Sequence, residues 1–356
     1  MSAPAWQQDI WQRLAARAAA GTLPHALLLA GPAGIGKRAF AERLAALLLC
    51  DNVDAPPCGR CRSCRLYAAR SQRDPEETRP DGSLSQPDGY PGHPDARFVG
   101  HAWNEKARPQ KMYTEIVVDQ IRDVSAWLAL TPQYGRAQIV LIEPADAMNG
   151  AAANALLKTL EEPSAARFIM LVSAHPARLP ATIRSRCQRI DFQVPSPAQA
   201  LAWLVDQGLE SPSAAAALDA SAGNPALALA WARGDRLALR AQVGEQLRAL
   251  KQGRAGVLEI ANAWSKDEPD ARLWFAASLV QAEARAQARG AAGPLALTAD
   301  ADLTKLSVWF DLANRTRDLL RGPLRAELIL VELLLAWKAT GPPRAAARTA
   351  GNGAVG

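Results

Sequence analysis

The pattern of apolar and polar positions changes character near residue 195. Before it, short wholly apolar runs alternate with stretches of helical periodicity. Residues 25–30, 137–143, 167–173 and 188–192 read as strands, and the first three are apolar enough to be buried on both faces. Between them, apolar residues recur three or four apart. Ile10, Leu14 and Ala18 mark a helix over 6–20 that Gly21 stops, and Phe40, Leu44, Leu47 and Leu48 mark another over 37–49. Ile121, Val124, Trp127 and Leu128 predict a helix over 119–130, and 146–162 is amphipathic up to Pro163. Strands and helices in this alternation predict a parallel sheet covered by helices on both faces. Beyond Pro195 and Pro197 the strand pattern ends: short helices are expected over 198–233, then long ones at Leu237–Leu250, Arg272–Ala288, Leu303–Leu320 and Leu324–Lys338. Leu273, Ala277, Val280 and Ala284 form one core stripe there, and Leu303, Leu306, Phe310 and Ala313 another.

Two stretches lack periodicity. Residues 71–111 are rich in Pro, Gly, Asp and Arg and read as a long, partly disordered surface insertion. Its Tyr90, His93, Trp103, Lys106, Arg108 and Lys111 suit either a solvated loop or contact with nucleic acid. Residues 341–356, rich in Gly, Ala and Arg, read as a disordered tail. The expected division is 1–192, α/β; 193–235, a small helical domain; and 236–340, an all-α domain.

Composition adds limits. The 356 residues suffice for two or three domains. A net charge of +6 permits contact with nucleic acid without requiring it. No apolar run approaches the ~18–20 residues of a membrane span, and Met1-Ser2-Ala3-Pro4 has no signal-peptide character, so a cytoplasmic protein is expected. Its five cysteines are then not expected in disulfides.

The first candidate chemistry lies between the first strand and the helix over 37–49. Gly31-Pro32-Ala33-Gly34-Ile35-Gly36-Lys37-Arg38 fits the phosphate-loop pattern up to the last residue, where Ser or Thr would hold Mg²⁺. Gly31, Gly34, Gly36 and Lys37 are the candidate nucleotide cradle. At the end of the 137–143 strand, where Asp-Glu would hold the metal and polarise water, stand Glu143 and Pro144. The second candidate is Cys50, Cys58, Cys61 and Cys64, in the spacing C-x7-C-x2-C-x2-C. Four thiolates so spaced suit a closed structural Zn²⁺ site; an iron–sulfur cluster or free thiols are the alternatives.

Four segments together carry a family resemblance. They are His25-Ala26-Leu27-Leu28, the four-cysteine module, Ala153-Asn154-Ala155-Leu156-Leu157-Lys158-Thr159-Leu160-Glu161-Glu162-Pro163, and Ser185-Arg186-Cys187. In this order, over about residues 5–190, they resemble the delta-prime subunits of bacterial DNA polymerase III clamp loaders, members of the AAA+ group. The resemblance implies an AAA+ phosphate-loop domain with a small zinc module at 50–64, a helical lid over 193–235 and a helical collar for oligomerisation over 236–340. It implies a hetero-oligomer with gamma/tau motor subunits and a delta subunit, acting on a sliding clamp and primer-template DNA. It also assigns Arg186 as an arginine finger donated to the neighbouring subunit's nucleotide, against the alternative of a surface ion pair.

The chain departs from the motor-subunit pattern at Lys37-Arg38, at Glu143-Pro144 and at Ala226, where a lid arginine would stand. Three such departures imply a non-hydrolysing stator with no intrinsic activity inside a polymerase holoenzyme, and leave nucleotide binding by the cradle open. An active gamma/tau-type ATPase and a zinc-dependent nucleic-acid-binding protein on an inactive nucleotide fold are the competing readings.

Overall fold

Five apolar residues in a row, Ala26–Ala30, form β1, and every one is buried. Successive strand side chains point to opposite faces. Leu28 therefore enters one apolar layer, while Leu27 and Leu29 enter another. The computed structural model describes residues 4–79, 84–104, 107, 111–134, 136–234, 236–297, 303–320 and 324–340. In it β1 is joined by β2 (Ala96–Val99), β3 (Gln138–Ile142), β4 (Arg167–Ser173) and β5 (Gln188–Asp191) in one parallel sheet of order β2-β3-β4-β1-β5. Leu28 stands opposite Leu171 on one side and Arg189 on the other.

Helices α1 (Gln8–Ala19) and α2 (Lys37–Leu49) bring Leu14, Phe40 and Leu44 onto one face of the sheet. Beyond α2, the short α3 (Arg62–Ala68) carries Cys64 and Tyr67 inward. On the opposite face α4 (Val118–Leu128), α5 (Gly150–Glu161) and α6 (Ala181–Arg186) bring Ile121, Val124, Leu156 and Ile183. The sheet is thus covered on both sides, as the alternation predicts. The 146–162 stretch breaks into a 3₁₀ turn at Ala145–Ala147 and then α5, because Asn149 caps the helix by accepting from the Ala152 N–H at 2.9 Å.

The described residues form two compact units: those up to Gln207 with Gly223–Leu227, and Gly208–Ala222 with those from Ala228 onward. In chain order the remaining helices are α7 (Pro197–Asp206), α8 (Ser211–Ala220), α9 (Pro225–Arg233), α10 (Arg236–Lys251), α11 (Val257–Lys266), α12 (Pro269–Ala288), α13 (Leu303–Leu319) and α14 (Ala326–Ala339). The core of the second unit is built on Trp264, Trp309, Trp337 and Phe275. Each indole N–H is matched: Trp264 to the Gln246 side chain at 2.7 Å, Trp309 to the Leu333 carbonyl at 3.0 Å, Trp337 to the Leu247 carbonyl at 2.9 Å. The periodicity had not marked α11, which is short and lies between Gly256 and Asp267. Ile260, Ala261 and Trp264 bury its inner face.

The larger departure from expectation is the 71–111 stretch. It carries β2, the edge strand of the main sheet, with Ala96, Phe98 and Val99 buried. Two short antiparallel pairs flank it, Arg70–Ser71 with Tyr90–Pro91 and Trp103–Asn104 with Lys111–Met112. Several of its polar groups are internal: Ser85, Gln86, His93 and Asp95 are buried, and Tyr90 donates to Glu77. Trp103 donates to the carbonyls of Pro75 and Glu76. An edge strand pairs on one side only, so four residues suffice and leave little periodicity to read. Lys106, Arg108 and the 341–356 tail lie outside the described residues.

If Phe98 belongs to the core, Phe98→Ala should cost about 3 kcal/mol of unfolding free energy. Urea denaturation of the two proteins measures it, and a loss within about 0.5 kcal/mol, as for a surface site, would return the segment to the loops.

Candidate functional site

The phosphate loop leaves the carboxyl end of β1. Gly31, Gly34 and Gly36 all have positive φ, of 146°, 71° and 85°, a region that favours glycine. At Gly31 the reason is also proximity, since a Cβ there would lie 2.3 Å from the Phe192 carbonyl oxygen. The loop's carbonyls are bound from within the chain. The Lys37 Nζ donates to Gly31 O and Pro32 O at 2.6 Å each, Gln7 Nε2 to Ile35 O at 2.9 Å, and Asn224 Nδ2 to Ala33 O at 2.5 Å. Lys37 is therefore folded back on its own loop and buried. Burial pushes its pKa down to about 8, against the opposing pull of Glu143 and Asp146.

Arg38 opens α2 beside it, and its guanidinium lies between two carboxylates. Its Nε meets Glu42 Oε1 at 2.7 Å, its Nη1 meets Glu143 Oε2 at 2.9 Å, and its Nη2 donates to Gln86 Oε1. Burial alone would lower the Arg38 pKa, but Glu143 and Glu42 outweigh it and hold the value above its ordinary level. Arg70 binds Glu42 at 2.9 Å and Arg79 approaches Glu143 at 3.6 Å, so residues near and within the 71–111 stretch complete the cluster. Residue 38 and Glu143, which follows β3, stand at the two positions that would share a divalent ion in a metal-dependent loop. Here they share an ion pair. Asp146, next along, accepts from Ser173 Oγ at 2.5 Å and from the Ala174 N–H at 3.2 Å.

The four cysteines converge. The Sγ atoms of Cys50, Cys58, Cys61 and Cys64 lie within 4.8 Å of one another, and those of Cys50 and Cys61 are 3.9 Å apart. A tetrahedral ion with bonds of about 2.3 Å to sulfur needs sulfurs about 3.8 Å apart. Backbone N–H groups already point at the sulfurs: Cys58 N to Cys50 Sγ at 3.4 Å, Cys61 N to Cys58 Sγ and Cys64 N to Cys61 Sγ at 3.3 Å. The N–H groups of Arg60 and Cys61 draw the Cys58 thiol down to about 6, whereas burial pushes the Cys50 and Cys64 thiols up, so those two need a metal's own charge to become thiolates. The donor set fits one metal ion held by four sulfurs.

Arg186 ends α6. Its Nη1 donates to the Thr182 carbonyl at 3.0 Å and its Nη2 meets Glu161 Oε1 at 2.5 Å, with 35% of its side chain exposed. Cys187, buried in the core with Ile183, is pushed up to about 11 by burial and stays a thiol. Arg186 lies far from the loop in its own chain. Gln188 of β5 stands beside Leu27 and Asp191 beside Ala30, so Arg186 precedes one end of the β1–β5 ladder and the loop follows the other. That ladder alone spans about 10 Å.

The family described as DNA polymerase III, delta subunit matches residues 6–196, more than half of the chain. The DNA polymerase III subunit delta' of Pseudomonas aeruginosa is 38% identical over 263 residues, covering 73% of this chain and 70% of that protein. The chain belongs to the delta-prime family of DNA polymerase III clamp-loader subunits. The Escherichia coli subunit delta' is 33% identical over 281 residues, covering 78% of this chain and 75% of that one. The E. coli DNA polymerase III subunit tau is 31% identical over 182 residues, 51% of this chain and 23% of tau. The matched residues 6–196 take in most of the first unit, with the glycine loop after β1 and Arg186 before β5. Among the described residues no helix is long and apolar enough to cross a membrane.

Sequence reasoning had not placed Gln7, Gln86, Asp146, Ser173 or Asn224 at the loop. Gln86 carries no local signal, and Asn224 reaches the Ala33 carbonyl from 191 residues away, a contact that spacing along the chain does not record.

Lys37 gives this site a pH signature. Its pKa is about 8 in the folded chain against an ordinary 10.5, so between those values the unfolded chain binds more protons there and stability rises with pH. Lys37→Met should flatten the thermal-midpoint profile between about pH 8 and 10.5; a variant retaining the full wild-type slope would rule this out.

Proposed function

We propose that this chain is the non-hydrolysing member of the clamp loader, a stator against which the motor subunits work. The observation that supports this is the Arg38–Glu143 ion pair. A divalent ion bound at these two positions needs free oxygen ligands and an absence of fixed positive charge. Arg38 supplies neither, and it occupies the carboxylate that would bind the ion. Ala226 in place of the lid arginine is a further loss on the nucleotide side. The chain then has no activity of its own and acts through the polymerase holoenzyme. Gly31, Gly34, Gly36 and Lys37 are kept as a relic of a nucleotide cradle.

In the same reading Arg186 works in trans. It sits too far from its own loop to serve it, and a guanidinium keeps its charge and offers several donors to phosphate oxygens. Its target is the nucleotide of a neighbouring gamma/tau subunit. The remaining partners are the delta subunit, the sliding clamp and primer-template DNA, reached through a cytoplasmic hetero-oligomer. Residues 193–235 serve as the lid and 236–340 as the collar. The four cysteines hold a structural Zn²⁺, which leaves no open position for catalysis.

Two measurements test these assignments. In the assembled loader, Arg186→Ala should lower DNA-stimulated ATPase and clamp loading, with the neighbouring site slowed by roughly 10³-fold or more. Unchanged turnover would sink the finger, and Mg²⁺-dependent hydrolysis by the isolated wild-type chain would sink the stator. For the cysteines, elemental analysis should find one zinc per chain. Cys61→Ser should abolish binding and lower the thermal midpoint by about 10 °C; a metal-free wild-type chain would refute the assignment.

A further inference from the structure

The carboxylate facing Arg186 stands where a helix does not favour one. Glu161 is the last residue of α5 and Glu162 follows it. The carbonyl end of a helix carries partial negative charge, so an acid there is disfavoured unless a cation answers it. Arg186 is that cation, at 2.5 Å from Glu161 Oε1. A second contact fixes the fork, from Nη1 to the Thr182 carbonyl at 3.0 Å. Thr182 and Arg186 lie on one short helix that Ile183 and Cys187 anchor in the core. The guanidinium is therefore gripped on two sides by atoms of different elements, while about a third of the side chain faces solvent.

From this geometry we infer that Glu161 is a positioning residue for Arg186, holding the guanidinium in the orientation in which it meets a partner's phosphate. The inference rests on the finger assigned to Arg186 above. An arginine side chain has four rotatable torsions and loses much freedom when it is fixed. A finger already oriented on its own subunit spends less of its binding energy on ordering when the partner arrives. The pair itself is half exposed, so its contribution is modest. The effect belongs in the chemical step, where orientation matters, and not in nucleotide affinity.

The test uses the reconstituted clamp loader with DNA and clamp, and reads kcat and KM for ATP. Glu161→Gln should lower kcat by about two- to fivefold, the range an exposed ion pair supplies, with KM unchanged. Glu161→Asp, which keeps the charge, should fall between wild type and Glu161→Gln. The deciding measurement is the double variant. If Glu161 acts only through Arg186, then Glu161→Gln has no further effect in an Arg186→Ala loader. A Glu161→Gln loader with wild-type kcat, or one that slows the Arg186→Ala loader by the same factor, overturns the inference while leaving the finger standing. An Arg186→Ala loader that turns over normally overturns both.

Discussion

The ion pair between Arg38 and Glu143 joins parts of the first unit that the chain keeps far apart. It ties the first turn of α2 to the end of β3, and through Glu42, Arg70, Arg79 and Gln86 it draws in the segment leading to β2. The side chains of Arg38, Glu42 and Glu143 are only 13%, 12% and 17% exposed. Charges so far from water are tolerated when paired, and removing one partner of such a pair costs about 3–5 kcal/mol. A single substitution thus does two things. It puts a guanidinium where the phosphate-loop pattern has a hydroxyl, and it braces the start of α2 against the residue that follows β3.

The same economy appears around the loop. Lys37, Gln7 and Asn224 give their donors to the loop's own carbonyls, so the cradle is held in shape by the protein. At the other end of the sheet Arg186 is left on the surface with a weak partner. The loop and Arg186 are separated by the length of the β1–β5 ladder, one following the strands and the other preceding them. The cysteine module is joined to this frame too. Asp51 accepts from Ser63, Arg136 donates to the Cys50 carbonyl at 2.5 Å, and Arg62 lies 5.0 Å over the Tyr134 ring. Asp95, just before β2, accepts from the N–H groups of Gln133 and Tyr134. Ordering four sulfurs therefore also orders the approach to β2 and β3.

Much of the first unit was legible because its strands are buried on both faces. A continuous apolar run such as Leu27-Leu28-Leu29 has no other stable place, and glycine at positions 31, 34 and 36 marks a backbone that other residues cannot follow. The cysteines were legible because ligands close in sequence are close in space. β2 was not, since Ala96–Val99 has one neighbour and sits among polar residues. Nor was α11, whose short inner face offers too few repeats to stand out.

By itself the sequence determined the parallel sheet, the loop with its missing hydroxyl, the thiol cluster and the presence of an arginine before the last strand. Each follows from residues near one another along the chain, where spacing fixes geometry. Only the tertiary structure decided the distant partners of these residues: Glu143 for Arg38, 105 residues away, Asn224 on the Ala33 carbonyl, and Glu161 against Arg186. Those contacts arise from which helix and strand ends the sheet order brings together, and no local period records them.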